Sequence, residues 1–211
     1  KARGAMNKLL CLSSDERAAG VIAASSGNHG VAVAYGAKKL GCPATIYVPK
    51  CAAEIKKEAI KSLGATVCVA GDDCVETEVI ARAASQRLGT PYIPPYNDPE
   101  VMAGQGTVAV EMLQECPELD AIFVALGGGG LIGGMGLFAK STALNVAMIA
   151  CSPAQSPALH RCMEVGKTID VPCFETLSDA TAGGVEDGSI TVDVCTRVVD
   201  QSLLITEEHI A

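Results

Sequence analysis

Two loops in this sequence carry residue types that bind anions and do chemistry. One is Gly127-Gly128-Gly129-Gly130, set inside the uncharged stretch 121–139. The apolar run before it and the Gly-rich apolar run after it predict a buried strand, a tight loop and the first turns of a helix. A glycine loop leaves its backbone N–H groups uncovered, and at the positive end of a helix these converge on phosphate or another anion. The other loop is Ser25-Ser26-Gly27-Asn28-His29-Gly30, which also follows an apolar run and opens a helical pattern. Its backbone N–H groups suit a carboxylate, and Asn28 offers a side-chain amide to a neighbouring oxygen. The same Ser and Asn also serve as ordinary helix caps.

The glycine stretch admits other readings. Its uncharged length is that of a membrane span, but consecutive glycines in its middle would cost such a helix stability at every position. Gly128, Gly130 and Gly133 spell G-x-G-x-x-G, the dinucleotide fingerprint. That motif needs an acid at the end of the next strand to hold the ribose; the strand predicted at 146–151 runs into Ser152-Pro153. Close helix–strand packing without a ligand is a further reading. A non-catalytic nucleotide- or ligand-binding α/β module therefore stands as the alternative from outside enzyme chemistry.

The elements that must position these loops follow a repeating pattern. Strands are predicted at 21–24, 44–48 and 66–70, each followed by a helical pattern, at 31–40, 53–63 and 74–88, and these helices stop at Gly41, Gly64 and Gly89. Successive β-α units of this length imply a parallel sheet. A Pro-rich connector around Pro91, Pro94 and Pro95 follows, then a helix over 99–115 with Pro99 in its first turn. A strand at 121–125, a helix at 131–143, a strand at 146–151, helices at 157–165 and 192–199 and a strand at 202–205 complete the pattern. The stretch 177–188 reads as a loop. The domain boundary is expected near Asn97.

Composition narrows the class. The chain has 211 residues, 49% of them hydrophobic and only 3% aromatic, which suits a parallel α/β core of small branched side chains. A net charge of −8 without a basic block argues against nucleic acid and acidic membrane surfaces as partners. No secretory signal pattern is present. The ten cysteines form no C-x-x-C pair and are expected as buried free thiols in a reducing, cytoplasmic setting. His29, His160 and His209 are far apart and lack cysteine partners at ligand spacing, so no zinc site is expected. The sequence opens at Lys1 inside a predicted helix and stops as Thr206-Glu207-Glu208 opens another. Both ends are expected to be cuts from a longer protein.

Taken together, KARGAMNKL from Lys1, ASSGNHG from Ala24, PEVMAGQGT from Pro99 and ALGGGG from Ala125 resemble one family, in this order and across essentially the whole chain. It is that of the pyridoxal-phosphate enzymes of the tryptophan-synthase-β type (fold type II), in the branch of serine/threonine dehydratases and serine racemases. The resemblance implies two three-layer α/β/α domains with mainly parallel sheets. Residues 20–97 would form a small domain, and residues 1–19 with 98–211 part of an incomplete large cofactor-binding domain.

The resemblance also implies roles. Lys1, preceding x-R-G-A, matches the lysine that bonds the cofactor aldehyde. Ser25, Ser26, Gly27, Asn28 and His29 match the loop whose backbone amides hold the substrate carboxylate, and Asn28 the contact to the pyridoxal 3′-oxygen. Gly127, Gly128, Gly129, Gly130 and the Leu131 amide match the phosphate site. Ser26 falls where the racemase branch places a second acid/base on the face opposite the lysine. The activity implied is deamination of L-serine or L-threonine to a 2-oxo acid and ammonia, with Lys1 as base; the alternative is a serine racemase with side eliminase activity. A homodimer or homotetramer is the usual assembly.

The sequence departs from the family pattern in one place. Members that bind a structural divalent cation carry carboxylates just after the strand that follows the glycine-loop helix, whereas residues 151–158 here contain no acid. Hard cations want carboxylate oxygens, so no metal is expected, which favours the dehydratase. Tyr96 matches a position where dehydratases place an aromatic near the cofactor ring. Its reading from sequence alone is a turn aromatic between prolines. Missing flanking segments imply that this stretch alone turns over substrate poorly.

Overall fold

The computed structural model describes residues 1–142 and 145–211. The last residue of the helix expected at 131–143 lies outside the described residues. The chain divides into two compact units, Lys1–Pro95 and Tyr96–Ala211.

In the first unit, β1 (Val21–Ala24), β2 (Ala44–Val48) and β3 (Thr66–Val69) form a parallel sheet in that order. Alternation of side chains along the strands sorts them onto two faces. Val21, Ala23, Ile46 and Val48 share a core with Val33 of α3 (Asn28–Leu40), Ile60 of α4 (Glu54–Ser62) and Leu9 of α1 (Ala2–Cys11). Ile22 and Ala24 face the other way, with Tyr47, onto Ala81 and Ala84 of α5 (Cys74–Leu88). Helices on both faces make this a three-layer arrangement, as parallel sheets require. The helix stops behave as their residue types dictate: Gly41 and Gly89 close α3 and α5 in the left-handed conformation. Within the first unit, α1 packs on α3. A Cβ on Gly36 of α3 would lie 2.7 Å from Leu9 Cδ1.

One helix was not expected. α2 (Ser14–Ala19) starts at a capping box: Ser13 Oγ accepts from the Glu16 amide, and Glu16 accepts from the Ser13 amide. Ser13-x-x-Glu16 is the sequence signature of such a start.

In the second unit, β4 (Ala121–Ala125), β5 (Ala147–Pro153) and β6 (Gln201–Ile205) form another parallel sheet in that order. Ile122, Val124, Met148 and Ala150 pack with residues of α6 (Pro99–Glu115), α7 (Gly130–Ser141), α8 (Ala158–Val165) and α9 (Ile190–Val198). The expectation that β4 is buried throughout holds for one face only. Phe123 is 66% exposed, because alternate residues of the strand point away from these helices. α10 (Glu207–Ile210) ends the chain, and a short 3-10 turn, Asp179–Thr181, interrupts the expected loop.

α6 and α7 meet at their backbones. A Cβ on Gly106 would lie 2.8 Å from the Gly134 carbonyl oxygen, and one on Gly134 would collide with the Met102 carbonyl oxygen. Gly106 belongs to the AGQGT motif, so one reason for that motif here is helix–helix approach. All ten cysteines are free thiols. The expectation of burial is met by Cys42, Cys162 and Cys195 and corrected for Cys11, Cys51, Cys74 and Cys116, which are exposed. Cys11 ends α1, Cys74 opens α5, and Cys51 and Cys116 lie in connections. Among the described residues no helix is long and apolar enough to cross a membrane.

Candidate active site

In the first unit the loop after β1 opens α3. Its carboxylate-binding expectation needs free amides, and the structure shows which are free of the sheet and helix. The Ser25 N–H donates to the Tyr47 carbonyl at 3.0 Å. This is a correction to the expectation for Ser25: the parallel ladder from β1 to β2 runs one residue further and takes its amide. The Gly27 N–H donates to Ser25 Oγ at 3.1 Å, so this amide too is engaged. The first α-helical bond runs from the Val31 amide to the Gly27 carbonyl at 3.2 Å. The amides of Asn28, His29 and Gly30 precede it and have no partner within the helix. Gly27, the N-cap, offers no side chain to cap them. Helix α3 begins at Asn28 rather than Val31, so Asn28 and His29 lie on its first turn, with Asn28 exposed and Ser26 half-buried. Gly30 is fixed by space: a Cβ there would collide with the Ser25 carbonyl oxygen and lie 3.1 Å from Ile46 Cγ2.

His29 is buried, and its Nε2 donates to the Ile93 carbonyl at 2.8 Å. A carbonyl can only accept, so the proton is on Nε2 and Nδ1 is bare in the neutral ring. Burial pulls the His29 pKa down to about 4, against the pull of the Ile93 carbonyl and with help from the Lys1 charge. The imidazole is therefore a neutral strut at physiological pH.

Lys1 lies at the N-cap of α1 and its Nζ donates to the Pro95 carbonyl at 2.7 Å. The residue as a whole is exposed, yet its ammonium is crowded by protein, and the loss of water lowers its pKa from 10.5 to about 8. An amine with that pKa is partly neutral near pH 7–8, which is what a nucleophile toward an aldehyde or a general base requires. Lys1 and His29 are near enough for the charge of one to act on the other.

In the second unit the glycine loop joins β4 to α7. Gly129 adopts φ +85° and is the N-cap of α7, again without a side-chain cap. The Gly133 amide makes the first helical bond, to the Gly129 carbonyl at 2.8 Å. The amides of Gly130, Leu131 and Ile132 precede it. What backs the loop explains why it is glycine at four positions. A Cβ would lie 3.1 Å from Thr181 Cα at Gly127, would enter the Tyr96 ring at Gly128, would lie 2.5 Å from Leu159 Cδ2 and 2.9 Å from Cys195 Sγ at Gly129, and would lie 2.9 Å from Tyr96 Cβ at Gly130. Gly133 meets Met102 Cε at 2.7 Å in the same way. The Cys195 thiol donates to the Gly129 carbonyl at 3.6 Å, and burial pushes its pKa up to about 12, so it is an inert support. β5 ends at Pro153 with no acid, so the ribose ligand of a dinucleotide site is missing.

A helix N-terminus with uncapped amides fits a phosphate, and the lysine with depressed pKa fits an aldehyde partner. Each unit, taken by itself, thus carries residues that suit one part of pyridoxal phosphate: the glycine loop of the second its phosphate, Lys1 of the first its aldehyde. Sequence reasoning missed the groups that fix these residues: the carbonyls of Pro95 and Ile93, and Thr181, Leu159 and Cys195 behind the glycine loop. No local signal marks them, since each acts across a long sequence separation.

The whole chain, residues 1–211, matches the model of the pyridoxal-phosphate dependent enzyme family, and the chain belongs to that family. Its cofactor is pyridoxal phosphate, and its fold is the mixed α/β type with parallel sheets. It is 37% identical over its full length to an L-threonine ammonia-lyase of Geobacter sulfurreducens, of which it covers 52%. It is also 37% identical to the chloroplastic biosynthetic threonine dehydratase of Arabidopsis thaliana, of which it covers 36%. The chain thus spans about half or less of these relatives. Among solved structures, threonine deaminase isoform 2 of Solanum lycopersicum superposes with a TM-score of 0.92 at 34% identity, over 97% of this chain and 60% of that one. Maize serine racemase does so with a TM-score of 0.92 at 32% identity, over 99% of this chain and 63% of that one.

Proposed function

We propose that this chain serves a pyridoxal-phosphate-dependent ammonia-lyase that converts L-threonine, and L-serine, to the 2-oxo acid and ammonia. The observation that carries the reading is Lys1, whose amine is held by one carbonyl and has its pKa lowered to about 8. Its neutral form would hold the cofactor through the aldehyde, and the same amine, when free, would accept the α-proton of the substrate. Bound pyridoxal phosphate supplies the electron sink that makes that proton removable. The amides of Gly130 and Leu131, in the loop Gly127, Gly128, Gly129 and Gly130, would hold the phosphate. The amides at Ser26, Asn28 and His29 would hold the substrate carboxylate, and the Asn28 side chain would orient the cofactor. Loss of the β-hydroxyl as water, followed by hydrolysis, balances the reaction. Within the same proposal, residues 20–97 make up a small domain, and residues 1–19 and 98–211 are part of the large cofactor-binding domain. The whole protein is a cytoplasmic homodimer or homotetramer that uses no metal.

A second reading rests on Ser26. It is half-buried on the loop that opens α3, where a hydroxyl can return a proton to the α-carbon from the face opposite Lys1. The product is then the D-amino acid. The relatives named as threonine ammonia-lyases and dehydratases support the first reading, and the likeness to maize serine racemase supports the second. Incubating the whole protein with L-threonine and L-serine, and measuring 2-oxo acid, ammonia and D-serine, decides between them. D-serine as the main product would overturn the lyase assignment, and the absence of every product would overturn both.

A further inference from the structure

Tyr96 touches the glycine loop and the segment that precedes α9 at once. Its ring occupies the space that a Cβ on Gly128 would enter, and its Cα and Cβ lie 3.0 and 2.9 Å from where a Cβ on Gly130 would be. At the far end of the ring, Oη accepts from the backbone N–H of Glu186 at 3.1 Å. The neighbouring residue repeats the tie: Asn97 Oδ1 accepts from the N–H of Ile190, the first residue of α9, at 3.0 Å. Thr181, in the turn before this segment, backs Gly127 at 3.1 Å. All these residues belong to the second unit.

Glycines have no side chains with which to lock a loop, and their backbone freedom is large. Amides that must converge on an anion gain affinity when they are held in place beforehand. We propose that Tyr96 is the positioning residue of this loop. Its ring sets the height of the Gly128 and Gly130 backbone, and its hydroxyl couples the loop to residues 183–190, so that phosphate binding and the order of that segment are linked. The inference rests on the phosphate reading of the loop proposed above.

The test uses the whole protein, freed of cofactor, and two probes that share an aldehyde: pyridoxal phosphate and pyridoxal, which lacks the phosphate. Tyr96→Ala is expected to weaken pyridoxal phosphate binding about tenfold and leave pyridoxal binding unchanged. Tyr96→Phe keeps the ring and is expected to hold affinity within about twofold, while hydrogen exchange at residues 183–190 quickens. In the unaltered protein, pyridoxal phosphate should slow that exchange. The proposal is overturned if Tyr96→Ala binds pyridoxal phosphate as the unaltered protein does, if it loses both probes equally, or if Tyr96→Phe leaves the exchange unchanged. An unaltered protein that binds both probes equally would instead overturn the phosphate reading itself, and the proposal with it.

Discussion

Lys1 Nζ donates a 2.7 Å hydrogen bond to the carbonyl of Pro95, the last residue of the same compact unit. The carbonyl fixes where the amine is, and the crowding around it lowers its pKa. Position and reactivity thus come from separate causes, which can be separated by experiment.

Lys1→Ala should abolish both retention of pyridoxal phosphate and deamination, by about a thousandfold or more in rate, since the nucleophile and the base are lost together. Absorbance of the bound cofactor after gel filtration and ammonia release are the measurements. Retained colour with normal turnover would remove Lys1 from the chemistry.

The rate at which the cofactor-free protein captures pyridoxal phosphate should rise with pH and level off above about 8. Capture needs the neutral amine, and an unperturbed lysine would keep rising toward 10.5. A stopped-flow pH series reads this directly. A profile with no bend near 8 would mean that crowding does not act on this amine.

Stability should fall as pH drops from about 6.5 toward about 4. His29 is neutral in the folded protein until about 4, whereas the unfolded chain takes up its proton near 6.5. The unfolded state therefore binds more protons across that window and gains on the folded one. Denaturant titrations at pH 7, 5.5 and 4.5 measure the loss, and His29→Gln should flatten it.

Gly129→Ala should cost at least about 1–2 kcal/mol of stability from its left-handed backbone alone, at φ +85°. Contact with Leu159 and Cys195 adds to this and tilts the loop. Thermal melting and pyridoxal phosphate affinity should both drop. Gly41→Ala, with φ +64° and nothing near its Cβ, should cost stability and leave cofactor affinity intact.

Ser26→Ala should eliminate D-serine formation and spare deamination of L-serine, as chiral chromatography of the products would show. Loss of both activities together would assign Ser26 to substrate binding alone.

Much of this arrangement is legible in the sequence. The strands of the first sheet follow from runs such as Ala44–Val48, and the helix stops from Gly41 and Gly89. The glycine loop and the 25–30 loop are legible as helix starts, because small residues before a helix leave its first backbone amides uncovered. α2 is marked in the sequence only by the spacing of Ser13 and Glu16, since six residues are too few to show an apolar helical period. The fate of the Ser25 amide was not legible: whether a ladder runs one residue further depends on Tyr47, on another strand. Nor was the depressed pKa of Lys1, which is a property of what crowds it rather than of its neighbours in the chain.

The backbone contact between α6 and α7 at Gly106 and Gly134 has an evolutionary consequence. Side chains at an ordinary helix crossing can trade volume, a larger one on one helix against a smaller one on the other. Here there is no side chain to trade, since a Cβ on Gly134 meets the Met102 carbonyl and one on Gly106 meets the Gly134 carbonyl. Drift cannot proceed at this crossing by single compensated steps. A lineage that leaves glycine at either position must first move α7, the helix that the glycine loop opens.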